Sequence, residues 1–180
     1  MIRRLLTLAF TAAAGAVALD RWLAARRGSA APRPLRMLAV VDAPIDATWS
    51  VLADIPLQTE WMQEMKQVTV TTPGPVGVGT RGTAIVRVFG IPVADPVEVV
   101  EFQPPVRYGI RHHGLFSGSG LITLEPGADG TTTIVRWEEI LRPVLLPELG
   151  SLIAGLVLQP IFQADLLRFA RLVETGSADD

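Results

Sequence analysis

From Met37 onward, the spacing of apolar positions first alternates, then turns helical, then alternates again, and ends helical. Met37–Val41 is a short β-prone run, halted by Pro44. Asp46 is a fair N-cap for a helix through Ala53 that sets Trp49 and Leu52 on one face. Asp54-Ile55-Pro56 restarts the chain, and a second helix is predicted to carry Trp61, Met62 and Met65. Strand-like runs follow at Val68–Thr72, Thr80–Phe89, Val93–Phe102, Val106–His113, Phe116–Glu125 and Thr131–Arg142. Turn segments such as Pro73-Gly74-Pro75, Gly90-Ile91-Pro92 and Pro104-Pro105 separate them. Pro96 demands a bulge or an edge position within its run. Strands so regularly spaced, with no helix between them, predict an antiparallel meander. The last element is a helix. Pro147 and Glu148 suit its first turn, and Leu149, Leu152, Ile153, Leu156 and Val157 form a stripe. Pro160 interrupts that stripe, and Phe162, Leu166, Phe169 and Val173 continue it. A stretch as apolar as Leu149–Leu158 must be covered on most sides, and a curved sheet is the expected cover.

The predicted fold class is therefore α+β: a curved antiparallel sheet around a long C-terminal helix, preceded by an N-terminal apolar helix. Residues 1–27 form a membrane anchor or signal segment, 28–35 a linker, 36–174 the folded ligand-binding domain and 175–180 a disordered tail. The leader's run from Leu5 to Leu19 carries no charge, and Asp20 and Arg21 end it. Fifteen helical residues span ~22 Å, short of a ~30 Å hydrocarbon core. Three readings fit: a single anchor with Trp22 and Arg26-Arg27 at the interface, a secretory signal cleaved after Ala16-Val17-Ala18, and an interfacial helix. The anchor is favoured; arginines flank the run on both sides and leave its orientation open, their greater number after it leaning toward a cytoplasmic body, and the signal would leave the body secreted.

Charge sharpens this division. Residues 1–36 carry seven arginines against Asp20, a net +6, and the remainder carries −8. An acidic body on a basic leader argues against nucleic acid as the main partner and suits contact with anionic lipid. There are no cysteines, which excludes disulfides, thiolate catalysis and cysteine-bound zinc.

Several local phrases, taken in order, resemble the SRPBCC superfamily, the START-like helix-grip proteins that include a polyketide cyclase/dehydrase-like group. They are Asp42-Ala-Pro44-Ile-Asp46-Ala-Thr-Trp49, Asp54 followed by Trp61, and Val76-Gly77-Val78-Gly79-Thr80. Val99-Val-Glu101-Phe-Gln-Pro104-Pro105 and Gly130-Thr131-Thr132, opening a strand that ends in Trp137-Glu138, complete the set. The resemblance covers about residues 36–174. It implies a deep apolar cavity between sheet and C-terminal helix, in a family of lipid carriers, hormone, flavonoid and quinone binders and a few cyclases. It does not specify an activity.

Strand parity assigns the candidate site. Tyr108, Ile110 and His112 share an inward face, as do Val135, Trp137, Glu139 and Leu141. His112 and His113 point to opposite faces and are the chain's two histidines, so a histidine-rich metal site is excluded. His112 and Glu139 lie on strands either side of the Phe116–Glu125 strand, ~10 Å apart, placed to contact one ligand from two sides. Trp49 and Trp61 read as core. The glycines at 77, 79, 118 and 120 read as turns or bulges, since no phosphate-loop context follows them. Ser117 and Ser119 lack a nucleophile-elbow context. The expected function is binding or carriage of a small hydrophobic ligand (a lipid, a quinone or a polyketide-like ring), membrane-tethered, with no cofactor and no metal. Its expected lining is Tyr108, Ile110, His112, Trp137, Glu139, Leu152, Leu156 and Phe162. The alternatives are a cyclase or dehydratase using His112 and Glu139, and a protein-interaction module whose cavity is filled by its own side chains.

Overall fold

A computed structural model describes residues 2–28, 33–88 and 90–177. The elements are α1 (Ile2–Arg27), β1 (Leu35–Val41), α2 (Ile45–Ala53), α3 (Gln58–Trp61), β2 (Met65–Val70), β3 (Arg81–Val88), β4 (Ile91–Gln103), β5 (Arg107–His113), β6 (Phe116–Pro126), β7 (Thr133–Pro143) and α4 (Pro147–Ser177). The strands form one antiparallel sheet in the order β1-β7-β6-β5-β4-β3-β2. The predicted meander runs unbroken from β2 to β7, and β1 closes against β7. This is the expected α+β helix-grip architecture.

Several expected boundaries shift. The second helix does not reach Met65: α3 ends at Trp61, and Met65 opens β2. Asp46 is not an N-cap. Pro44 holds that position without a side-chain bond, and Asp46 lies in the first turn, where its charge meets the helix dipole. Pro96 meets its constraint through position, since the ladder to β5 starts one residue later, at Val97. At Pro96 the pairing is with Thr83 of β3 alone. The expected tail is partly helical, because α4 continues through Ser177. Positions 29–32 of the expected linker, position 89 of the expected third strand and positions 178–180 of the tail lie outside the described residues.

Alternation builds the core. Met37, Ala39 and Val41 of β1 point inward, as do Val135 and Trp137 of β7 and Ile122 and Leu124 of β6. The second half of α4 packs on them through Leu166, Phe169, Ala170 and Val173. Trp61 is wedged between Phe169 and Trp137, edge-on to both at 5.2 and 6.1 Å between ring centres. The free edge of β1 is covered as well. Leu38 donates its N–H to Gln163 Oε1 at 3.1 Å, and Gln163 Nε2 donates to the Leu38 carbonyl at 2.9 Å, so one amide side chain stands in for a strand.

The first half of α4 behaves differently, and here the expected stripe is corrected. Leu152 and Leu156 are exposed and turned away from the sheet, and Ile153 is half exposed at the cavity's edge. The sheet-facing positions are Gly150, Ala154, Val157, Leu158 and Ile161, a helical repeat one step out of phase with Leu152 and Leu156. Among the described residues, α4 (Pro147–Gly176) and not α1 is the helix long and apolar enough to cross a membrane. Its buried second half belongs to the core.

This split predicts a contrast in stability. Phe169→Ala should cost about 3–5 kcal/mol, because it empties a filled aromatic site. Leu156→Ala, in the same helix but exposed, should stay within about 0.5 kcal/mol in the absence of lipid. Denaturant midpoints at unchanged slope measure both.

Candidate functional site

Between the sheet and the first half of α4 lies a cavity of about 540 Å³. Its walls are largely apolar: Val86, Val93, Val97 and Val99 from β3 and β4, and Ile153, Val157 and Ile161 from α4. Tyr108, Ile110, His112, Trp137 and Glu139 line it, as strand parity predicts, and Phe162 of α4 lines it as well. Leu152 and Leu156 do not; their helical phase turns them to the outside. Trp49 is core, edge-on to Phe102 at 5.3 Å. Trp61 does two jobs, being both core and wall. Phe162 stacks on Trp137 with ring centres 5.0 Å apart.

Within this largely apolar wall His112, Asp95 and Glu139 form a bonded cluster, and Glu64, Arg81, Arg87 and Asp165 are the other charged residues of the lining. His112 Nδ1 is 2.7 Å from Asp95 Oδ2, and its Nε2 is 3.0 Å from Glu139 Oε1. Trp137 Nε1–H donates to the other oxygen of Glu139 at 2.9 Å. The Glu139 side chain is 3% exposed and that of His112 is 12% exposed. His112 and Glu139 therefore do not flank a ligand from two sides; they bond to each other. Strand β6 runs between their strands, with Gly118 opposite His112 and Gly120 opposite Glu139. A Cβ on Gly120 would lie 2.4 Å from Glu139 Oε2, and one on Gly118 would lie 1.7 Å from the Ile140 carbonyl oxygen. Neither position is a turn or a bulge, since both sit in regular ladder register. Gly120 leaves room for the Glu139 carboxylate to meet His112 across the strand, whereas Gly118, at φ 153°, leaves room for the backbone of β7.

Burial alone would lower the pKa of His112. The hydrogen bonds and charges of Asp95 and Glu139 outweigh it and push the value up to about 10. His112 is thus an imidazolium at neutral pH, donating from both nitrogens, and has no lone pair to offer a metal or a substrate proton. Two other polar groups of the lining have displaced pKa values. Burial raises the pKa of Tyr108, offset in part by a hydrogen bond with Gln58. Burial also raises that of Asp165, against the Gln63 N–H and the Arg168 charge.

Sequence reasoning missed Asp95 and Asp165. Asp95 shares parity with Val97 and Val99, and applying that parity to β4 would have turned it inward. Asp165 lies three residues beyond Phe162 on the sheet-facing side of α4, which a helical projection includes.

Two predictions follow from the cluster. The folded pKa of His112 lies above its unfolded value of ~6.5. The stabilisation from His112 pairing is therefore complete below pH ~6.5 and is lost as pH rises through about 10. His112→Gln should remove that dependence from a pH series of denaturant midpoints. Gly120→Ala should drive Glu139 off His112. An NMR titration of the His112 Cε1 proton is expected to show the pKa falling from about 10 toward its ordinary value.

Comparison with solved structures places this architecture. A Streptomyces aromatase/cyclase superposes with a TM-score of 0.66 at 19% identity, covering 80% of this chain and 94% of that one. A protein from Thermus thermophilus gives 0.65 at 18%, covering 80% and 99%. One from Deinococcus radiodurans gives 0.60 at 20%, covering 79% and 98%. At such identities the likeness concerns the fold. No curated protein sequence matches the chain. The family described as polyketide cyclase / dehydrase and lipid transport matches residues 7–174, nearly the whole chain, and the protein belongs to that family.

Proposed function

We propose that this protein binds a small hydrophobic ligand in the cavity, and does so tethered to a membrane through α1. The observation that carries the reading is a largely apolar chamber of about 540 Å³ in whose wall His112, Asp95 and Glu139 form a bonded cluster. Apolar burial drives binding at roughly 25 cal/mol per Å² removed from water. The few polar groups orient what enters. Tyr108, Ile110, Trp137 and Phe162 supply apolar contact, and His112 and Glu139 supply the polar end. A lipid, a quinone or a polyketide-like ring fits this description. The family's lipid transport members favour carriage. The aromatase/cyclase with the same fold keeps chemistry in view.

The cyclase or dehydratase alternative meets an obstacle in His112. A general base works best with a pKa near the working pH. An imidazolium held by two carboxylates, with its pKa pushed up to about 10, is poorly matched to proton abstraction at neutrality. The interaction-module alternative requires an interior filled by its own side chains, and the cavity counts against it.

The tether rests on the apolar run Leu5–Leu19 and the basic leader. The competing reading, cleavage after Ala18 and secretion, makes a different prediction for the intact mass.

Native mass spectrometry of the gently purified chain, with solvent extracts analysed alongside, tests the proposal. The expected result is the uncleaved mass plus a discrete adduct, released on denaturation as a lipid, quinone or aromatic. A clean apo mass that does not shift on adding lipids or quinones would sink the carrier reading. Tyr108→Ala or Trp137→Ala should weaken retention of the adduct by about tenfold or more, the effect of losing one aromatic contact.

A further inference from the structure

The turn from β7 into α4 is fastened by groups from the opposite end of the chain. Asp20 of α1 is 8% exposed. Its Oδ1 accepts the backbone N–H groups of Glu148 and Leu149, both at 2.8 Å. These belong to the donors that every helix leaves unpaired at its start, so α1 caps α4. Arg27 grips both oxygens of Glu148 at 2.8 Å, and Arg142 of β7 reaches the same carboxylate at 2.8 Å. The turn itself carries Leu146 at φ 52°, a conformation that a leucine rarely holds without such support. The leader is therefore joined to the roof of the cavity by hydrogen bonds and an ion pair.

Around this joint the surface is apolar. Leu145 and Leu156 are each 82% exposed, and Leu115, Val144, Leu152 and Ile153 are each more than half exposed. Val144 donates its N–H to the Leu115 carbonyl at 3.0 Å, which brings the two loops together. Leu152, Ile153 and Leu156 share one face of α4. Leu115 and Ile153 also line the cavity, so the patch borders its mouth. The most apolar window of α4, with mean hydropathy 1.4, is only 11% buried, whereas a core helix of that composition would be mostly covered. Scattered exposed leucines need no explanation, but a patch of this kind does.

We propose that the α1–α4 joint is a bilayer-docking surface: the outward face of the first turns of α4, with Leu115, Val144 and Leu145, beds into an anionic lipid surface beside α1 and sets the cavity mouth against the membrane. Lipid is the occupant because the apolar α1 is locked to the same joint. The leader also ends in interfacial groups, with the Arg26 guanidinium 4.3 Å from the centre of the Trp22 ring. The net +6 of residues 1–36 attracts anionic headgroups, while the −8 of the rest is repelled, so the field orients the domain joint-side down. An apolar ligand then passes between bilayer and cavity without crossing water. The proposal rests on the membrane tether proposed above and is independent of the ligand's identity.

The chain contains no cysteine, so an introduced one reports a single site. Full-length Leu145→Cys and Leu156→Cys, each labelled with a polarity-sensitive nitrobenzoxadiazole dye, are mixed with phosphatidylcholine–phosphatidylglycerol vesicles. Both positions are exposed, so neither change disturbs the core. The expected result is a several-fold rise in emission, quenched by nitroxide-labelled acyl chains, while the same dye at Ala128→Cys in the β6–β7 turn does not respond. Chain that floats with the vesicles while the dyes at 145 and 156 stay in water overturns the docking surface and leaves the tether standing. Chain that does not float overturns both. Emission that rises with protein concentration, without lipid, assigns the patch to a second copy and overturns the proposal.

Discussion

The contact of Leu166, Phe169, Ala170 and Val173 with the sheet decides what the rest of α4 can do. A helix rises ~1.5 Å per residue, so about 28 Å of α4, with Pro160 inside it, separate Leu166 from Pro147. A sheet twists and coils away from a straight rod. Once the far half is held by the core, the near half stands over a sheet that curves from it. The small Ala154 in the cavity wall leaves space that a larger residue would fill, while Gly150 lets the start of α4 pack closely on Pro143. Cavity, roof and exposed outer face are three consequences of one packed end.

The charged cluster answers a second constraint. Taking one carboxylate and one imidazole into an apolar wall is costly unless every polar atom finds a partner. Glu139 comes close to this ideal, with His112 on one oxygen and Trp137 on the other. Asp95 does not: its Oδ1 has no hydrogen-bond partner. Trp61 Nε1, in the same wall, has none either. Two carboxylates around one imidazolium leave the cluster net negative.

How much of this could be read in the chain depends on the range of the signal. The meander was legible because alternation and Gly/Pro punctuation are local, and inward-facing Tyr108, Ile110, His112, Trp137 and Glu139 followed from parity alone. The direct bond between His112 and Glu139 was not legible from their spacing. It depends on Gly120 leaving room for Glu139 in the intervening strand, a role that a glycine in isolation does not announce. Leu152 and Leu156 were misassigned for the opposite reason. Their apolar character matched a core stripe, but which helical face meets the sheet is set by the distant contact at Phe169. Asp20 read as the end of an apolar run, and its partners lie about 130 residues away, beyond the reach of any local pattern.

That last pairing changes how the leader is understood. A basic, apolar N-terminus before a Gly/Ala/Pro-rich segment reads as a detachable address label on an independent domain. Here its last turns supply a buried carboxylate and an arginine to the start of the helix that roofs the cavity. A truncated chain would leave the N–H groups of Glu148 and Leu149 without Asp20, and the Glu148 carboxylate with Arg142 alone. Loss of a helix cap costs ~1 kcal/mol in typical cases. That cost would fall on the half of α4 that is not in the core and that borders the cavity mouth. The leader and the binding chamber therefore form one mechanical unit, in which anything that moves α1 acts first on the roof.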